Sequence, residues 1–190
     1  MRRTAATILA GAVLGLAPAR AEQPYGQLTP FQLVEELRGG VYGDDAVHRE
    51  QTAPMATIEA LTSPLMFYPS ANPWIAAALD PRFEAGAMIN GYGLTSYGFA
   101  GLNWRTPQWG PLFLEVGLGG AVNDSTDNPK NMERTDLGCP VTFRESAGLG
   151  WRISDHFDIV GGIEHISNAN LCGRINPGLT SVGIRIGYRF

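Results

Sequence analysis

From Gly178 to Phe190 the chain alternates apolar Val182, Ile184, Ile186, Tyr188 and Phe190 with Ser181, Gly183, Arg185, Gly187 and Arg189. Successive side chains of a strand point to opposite faces, so one face here meets oil and the other meets charge. A soluble sandwich strand rarely puts two arginines on its core side. A strand of a transmembrane barrel does so routinely, with lipid outside and a polar lumen within.

The chain ends on the aromatic of this strand, Phe190, which resembles the terminal sorting signal of bacterial outer-membrane barrels. The N-terminus points the same way. Arg2 and Arg3 precede an apolar run from Thr7 to Leu16, and Ala19-Arg20-Ala21 has the small-x-small form of a cleavage site before Glu22. This predicts a signal peptide over residues 1–21 and one mature domain over 22–190. The apolar run is shorter than the ~20 residues of a spanning helix. Taking Arg2, Arg3 and Arg20 from the 14 basic residues leaves 11 against 18 acidic ones, a net charge of -7, which argues against a nucleic-acid partner.

Turn-rich breaks separate eight stretches, near 32–42, 54–65, 81–92, 94–105, 111–122, 141–152, 157–167 and 178–190. Their clearest members have one apolar and one polar face: Leu112, Leu114, Val116 and Leu118 oppose Glu115, Gly117 and Gly119. The predicted fold is an all-β, eight-stranded antiparallel transmembrane barrel in a bacterial outer membrane. Arg82, Glu84, Glu115, Arg144, Arg152, Asp158, Glu164, Arg185 and Arg189 are expected inside, paired in a lumen too narrow for a channel.

With both termini in the periplasm, the outer loops would be 43–53, 93, 123–140 and 168–177, and the inner turns 66–80, 106–110 and 153–156. Cys139 and Cys172 fall in neighbouring outer loops, and an exported chain meets an oxidising compartment, so a disulfide between them is expected. No Cys/His grouping has the spacing of a zinc site.

In the seventh stretch, Phe157, Ile159 and Ile163 mark the lipid face, and the same parity carries His165 and Ser167. A Ser beside a His base is the minimum for acyl transfer. The same two residues are also what the polar end of a lipid belt looks like. His48 and His156 sit in polar contexts and read as solvated.

The run Glu164-His165-Ile166-Ser167-Asn168-Ala169, followed by Asn176-Pro177-Gly178 and a final strand, resembles the signature of the PagL-type lipid A 3-O-deacylases, as does Glu36-Leu37-Arg38-Gly39-Gly40 in the first strand. The likeness implies an eight-stranded outer-membrane enzyme that removes the ester-linked 3-hydroxyacyl chain at position 3 of lipid A, with no metal or cofactor. It would make His165 the general base and Ser167 the nucleophile. Asn168 and Asn176 match asparagines that shape the family's site, either through positioning and oxyanion support or as turn formers.

The sequence departs from the family where the archetype carries a Glu in the last strand, because that position here is Thr180. A glycine expected shortly after the Ser-Asn pair is likewise replaced by Asn170. Strand six offers a substitute acid. Val141, Phe143, Ala147, Leu149 and Trp151 are its outward face, and Glu145 is the carboxylate among them. If Trp151 pairs with Ile159, Glu145 lies opposite His165; if Trp151 pairs with Phe157, it faces Ile163.

The sequence thus points to an esterase acting on lipopolysaccharide at the outer leaflet, with His165, Ser167 and Glu145 as its machinery. Two alternatives stay open: a non-catalytic barrel that lost activity with the change to Thr180, and a surface-binding barrel acting through its outer loops. A homodimer is equally open.

Overall fold

The computed structural model describes residues 30–44, 53–68, 70–125, 135–172 and 176–190. The expected signal peptide, His48 and the tip of the longest loop lie outside them. Eight strands close into an antiparallel barrel in chain order: β1 (Glu36–Gly43), β2 (Pro54–Leu61), β3 (Arg82–Asn90), β4 (Tyr97–Arg105), β5 (Leu112–Asn123), β6 (Val141–Arg152), β7 (Phe157–Ser167) and β8 (Leu179–Arg189). Pairing of β1 with β8 completes the ring, so no edge is left to be satisfied by water.

β6 and β7 have the expected bounds. The link from β3 to β4 is longer than the single residue expected, spanning 91–96, because Asn90 ends its strand in a turn. Its Oδ1 accepts from Tyr92 N–H at 2.8 Å and its own N–H donates to Ser96 Oγ at 3.0 Å. The segment 66–80, expected to be a turn, contains helix α1 (Pro73–Leu79). Asn72 caps it by accepting from Trp74 N–H, and Pro73 supplies a helical φ at the first position. Trp74 packs on Trp109 with ring centroids 5.6 Å apart, at the end of the barrel where β1 starts and β8 ends.

Outside, Val41, Ile58, Ile89, Val116, Leu118, Leu149, Ile163, Val182, Ile184 and Ile186 form an exposed apolar wall. Inside, every strand contributes a charge. Arg38 bonds both oxygens of Glu115 at 2.8 and 2.9 Å and Glu36 at 2.6 Å. Arg185 reaches Glu59 at 2.6 Å, Glu164 at 2.9 Å and Glu115 at 3.0 Å, while Arg144 joins Glu84 to Glu164. Arg105 from β4 and Asp158 from β7 extend the network. Arg82, Arg152 and Arg189, expected inside, are half-buried at the mouth where β1 starts and β8 ends.

Toward the other rim the lumen turns apolar. Tyr42, Met55, Met88, Tyr97, Ala121, Ile166 and Leu179, all near strand ends, pack with Phe99 and with Leu137 from the loop between β5 and β6. Ion pairs fill the middle and an apolar plug fills the rim, as expected of a barrel this narrow.

Candidate active site

Parity on β7 is as read from the sequence. Asp158, Val160, Glu164 and Ile166 are buried inside, whereas Phe157 and Ile163 are exposed on the outer wall. His165 and Ser167 share that outer face and are half-buried, at the rim opposite the start of β1 and the end of β8. Alternate residues lie roughly 7 Å apart along a strand, within reach of an imidazole leaning toward a hydroxyl.

Both neighbours of β7 meet His165 directly. On β6 the register pairs Trp151 with Ile159, which sets Glu145 opposite His165. On β8 Thr180 is its partner, and Thr180 Oγ1 is hydrogen-bonded to His165 Nδ1 at 2.8 Å. Directly opposed residues have Cβ atoms about 5 Å apart, so both flanking side chains are near the ring. The ring's hydrogen bond runs to Thr180 rather than to the carboxylate. Glu145 is exposed, and neither it nor Ser167 makes a side-chain hydrogen bond among the described residues.

Gly178, at φ +70, closes the imidazole's other edge. A Cβ there would stand 2.5 Å from His165 Cε1 and 3.0 Å from Nε2. No side chain fits between this turn and the ring.

The two asparagines divide into different tasks. Asn168 is 1% exposed, and its side chain serves the loop: Nδ2 donates to Leu137 O at 2.7 Å and Oδ1 accepts from Asn170 N–H at 2.7 Å. This supports the left-handed turn at Ala169 and Asn170, φ 50 and 61. Asn176 Oδ1 accepts from Asn168 N–H at 3.0 Å, and the half-buried amide nitrogen is left to donate elsewhere. A disulfide joins Cys139 to Cys172, as expected, with Cα atoms 5.8 Å apart, and ties the Leu137 loop to the Asn168 loop. His156 lies at the far end, exposed, with Nδ1 2.9 Å from Arg189 O.

Below His165 the outer wall is hollowed into a shallow apolar groove crossing β5 to β8. Leu114, Val116, Ala147, Leu149, Ile163 and Val182 line it, and Gly161, where a Cβ would meet nothing within 4 Å, leaves it open; Gly148, Gly162 and Gly183, whose missing side chains would point into the lumen, border it with backbone. Glu115 also borders it.

Fold and wall together define a membrane-spanning β-barrel of the outer-membrane type, bearing a histidine and a serine on its lipid-facing surface at one rim. The sequence model of the family described as lipid A 3-O-deacylase (PagL) matches residues 69–189, and the chain belongs to that family. Its family and fold place it among outer-membrane proteins. The crystal structure of the outer membrane enzyme PagL is similar, with a TM-score of 0.60 and 14% identity over 82% of this chain and 99% of that one. Neisserial surface protein A has a TM-score of 0.50 and 9% identity over 85% of this chain and 98% of its own. At these identities the structural likeness speaks for the fold alone. No curated protein sequence matches the chain.

Proposed function

We propose that this protein is a lipid A deacylase that hydrolyses an ester-linked hydroxyacyl chain of lipopolysaccharide, acting from within the outer leaflet. The observation that carries the reading is the outward placement of His165 and Ser167 at one rim, above an apolar groove. Family membership supports the same substrate class. Residues 1–21 serve as the export signal, and the site-bearing rim faces the cell exterior.

A lipid enters such a site laterally, with its acyl chain along the groove and its ester level with Ser167. Alignment by the wall turns an encounter between two molecules into a reaction within one complex. Ser167 Oγ attacks the ester carbonyl while His165 Nε2 takes its proton. The Asn176 amide nitrogen is the donor available to the oxyanion, and Asn168 holds the turn that sets it there. Collapse expels the sugar hydroxyl, which recovers the proton from the imidazolium. Water, deprotonated in turn by His165, then frees the fatty acid and restores Ser167. Glu145 offsets the charge on the imidazolium in both halves of the reaction.

The test is product chemistry with purified barrel in detergent. Incubation with hexa-acylated lipid A should release a free 3-hydroxy fatty acid, and the His165→Asn form should release none. Absence of any fatty acid from the wild type would favour a non-catalytic barrel.

A further inference from the structure

A Ser–His pair needs two services from its surroundings. The ring must be held in the tautomer and pose that present a bare Nε2 to the hydroxyl, and the imidazolium that forms must be stabilised. A single buried carboxylate on Nδ1 does both. Here Nδ1 meets the hydroxyl of Thr180 at 2.8 Å. We propose that the two services come from different strands: Thr180 on β8 is a positioning residue that fixes the His165 ring, and Glu145 on β6 supplies the compensating charge. The inference rests on the reading of His165 as general base.

A threonine hydroxyl can accept from Nδ1–H, which leaves the proton-accepting lone pair on Nε2. Its χ1 is stiff because Thr is β-branched, so the acceptor is already placed. Gly178 completes the clamp, since its backbone passes so near Cε1 and Nε2 that the ring cannot swing away from Thr180 on that side. Thr180 carries no charge, however. The register puts Glu145 directly across from His165 on the other flank. Phe143 and Ala147, its neighbours on that face, are apolar, as is Val182 beside Thr180. Glu164 on β7 points inward, bound to Arg144 and Arg185. Among the described residues of β6, β7 and β8, Glu145 is therefore the charge that faces His165. At a lipid-bordered surface, such an attraction exceeds its value in bulk water.

The experiment compares Thr180→Val, Thr180→Ser, Thr180→Glu, Glu145→Gln and the Thr180→Glu/Glu145→Gln double variant. Readouts are kcat and KM of lipid A deacylation, together with the ¹⁵N shifts of the His165 ring in detergent micelles. Thr180→Val keeps the shape and removes the hydroxyl. It should lower kcat by about 10²-fold at unchanged KM, and should turn one ring tautomer into a mixture. Thr180→Ser should retain the single tautomer and most of the rate. Glu145→Gln should keep the tautomer but lower kcat by about tenfold at unchanged KM, because the imidazolium that forms loses its compensating charge. With Thr180→Glu in place, both services fall to one residue, so adding Glu145→Gln should cost less than about threefold.

A wild-type tautomer pattern in Thr180→Val, or an equal cost of Glu145→Gln in both backgrounds, would overturn the division of roles. A wild type without deacylase activity would overturn the hydrolase reading instead, and the ring shifts would still report whether Thr180 holds His165.

Discussion

Gly178 and His165 are in mutual contact so tight that the glycine has no room for a methyl group: a Cβ would come within 2.5 Å of the imidazole. Its φ of +70 is also a conformation that L-residues avoid. The residue before β8 therefore shapes the outer face of β7 at His165. Gly178→Ala should displace the ring, lower kcat/KM by about 10²-fold and cost about 1 kcal/mol of stability. Steady-state kinetics and urea unfolding check this, and wild-type activity would show that the ring is not seated against the turn.

A second expectation concerns the clasp behind the site. Cys139–Cys172 joins two loops that already share the Asn168 to Leu137 hydrogen bond. Replacing both cysteines by serine should lower stability by about 3 kcal/mol. Because Asn168 also orders the Asn176 turn, activity should fall several-fold. A thermal scan with and without reductant, paired with rate measurements, would separate the two effects. An unchanged rate would confine the disulfide to a structural role.

The eight strands were legible because alternation of oil and charge persists over their length, most clearly in β6 and β7. The disulfide was legible from the placement of two cysteines in adjacent loops. The Glu145–His165 pairing was half-legible: a short hairpin allowed two registers, and pairing of Trp151 with Ile159 selects the one that sets them opposite. Thr180 could be read only as a missing acid. Loop 168–178 is too long to fix the register of β8 on β7, so its bond to Nδ1 had no local signal. Helix α1 was hidden by its shortness and by Pro69 and Pro73, although Asn72-Pro73 is a helix-start pattern. Glu36, Arg38, Glu59 and Arg105 are not legible as lumen charges because Gly and Ala blur the contrast between faces.

The lumen gives a third expectation. Arg144 binds Glu164 through two nitrogens at 2.9 and 3.0 Å and also binds Glu84. Arg144→Leu would leave both buried carboxylates short of a partner and should destabilise the barrel by about 3–5 kcal/mol. The urea midpoint of refolded protein measures it. A midpoint equal to that of the wild type would mean that the lumen is wet enough to solvate those carboxylates.

The groove gives a fourth. A Cβ at Gly161 would meet nothing within 4 Å, so a larger side chain is tolerated by the fold while it intrudes on the groove. Gly161→Leu should leave stability within about 0.5 kcal/mol of the wild type. It should lower kcat/KM for long acyl chains about tenfold more than for short ones. Competition between substrates of two chain lengths reads the ratio directly, and an unchanged ratio would place the acyl chain elsewhere.

On the proposed reading the hydroxyl of Ser167 opens an ester of lipid A in the membrane where the barrel resides. Mass spectrometry of lipid A from Gram-negative cells expressing the wild type or Ser167→Ala tests it most directly. Lipid A should lose one hydroxyacyl chain with the wild type and stay intact with Ser167→Ala, at equal amounts of folded barrel. Identical spectra from the two strains would contradict it.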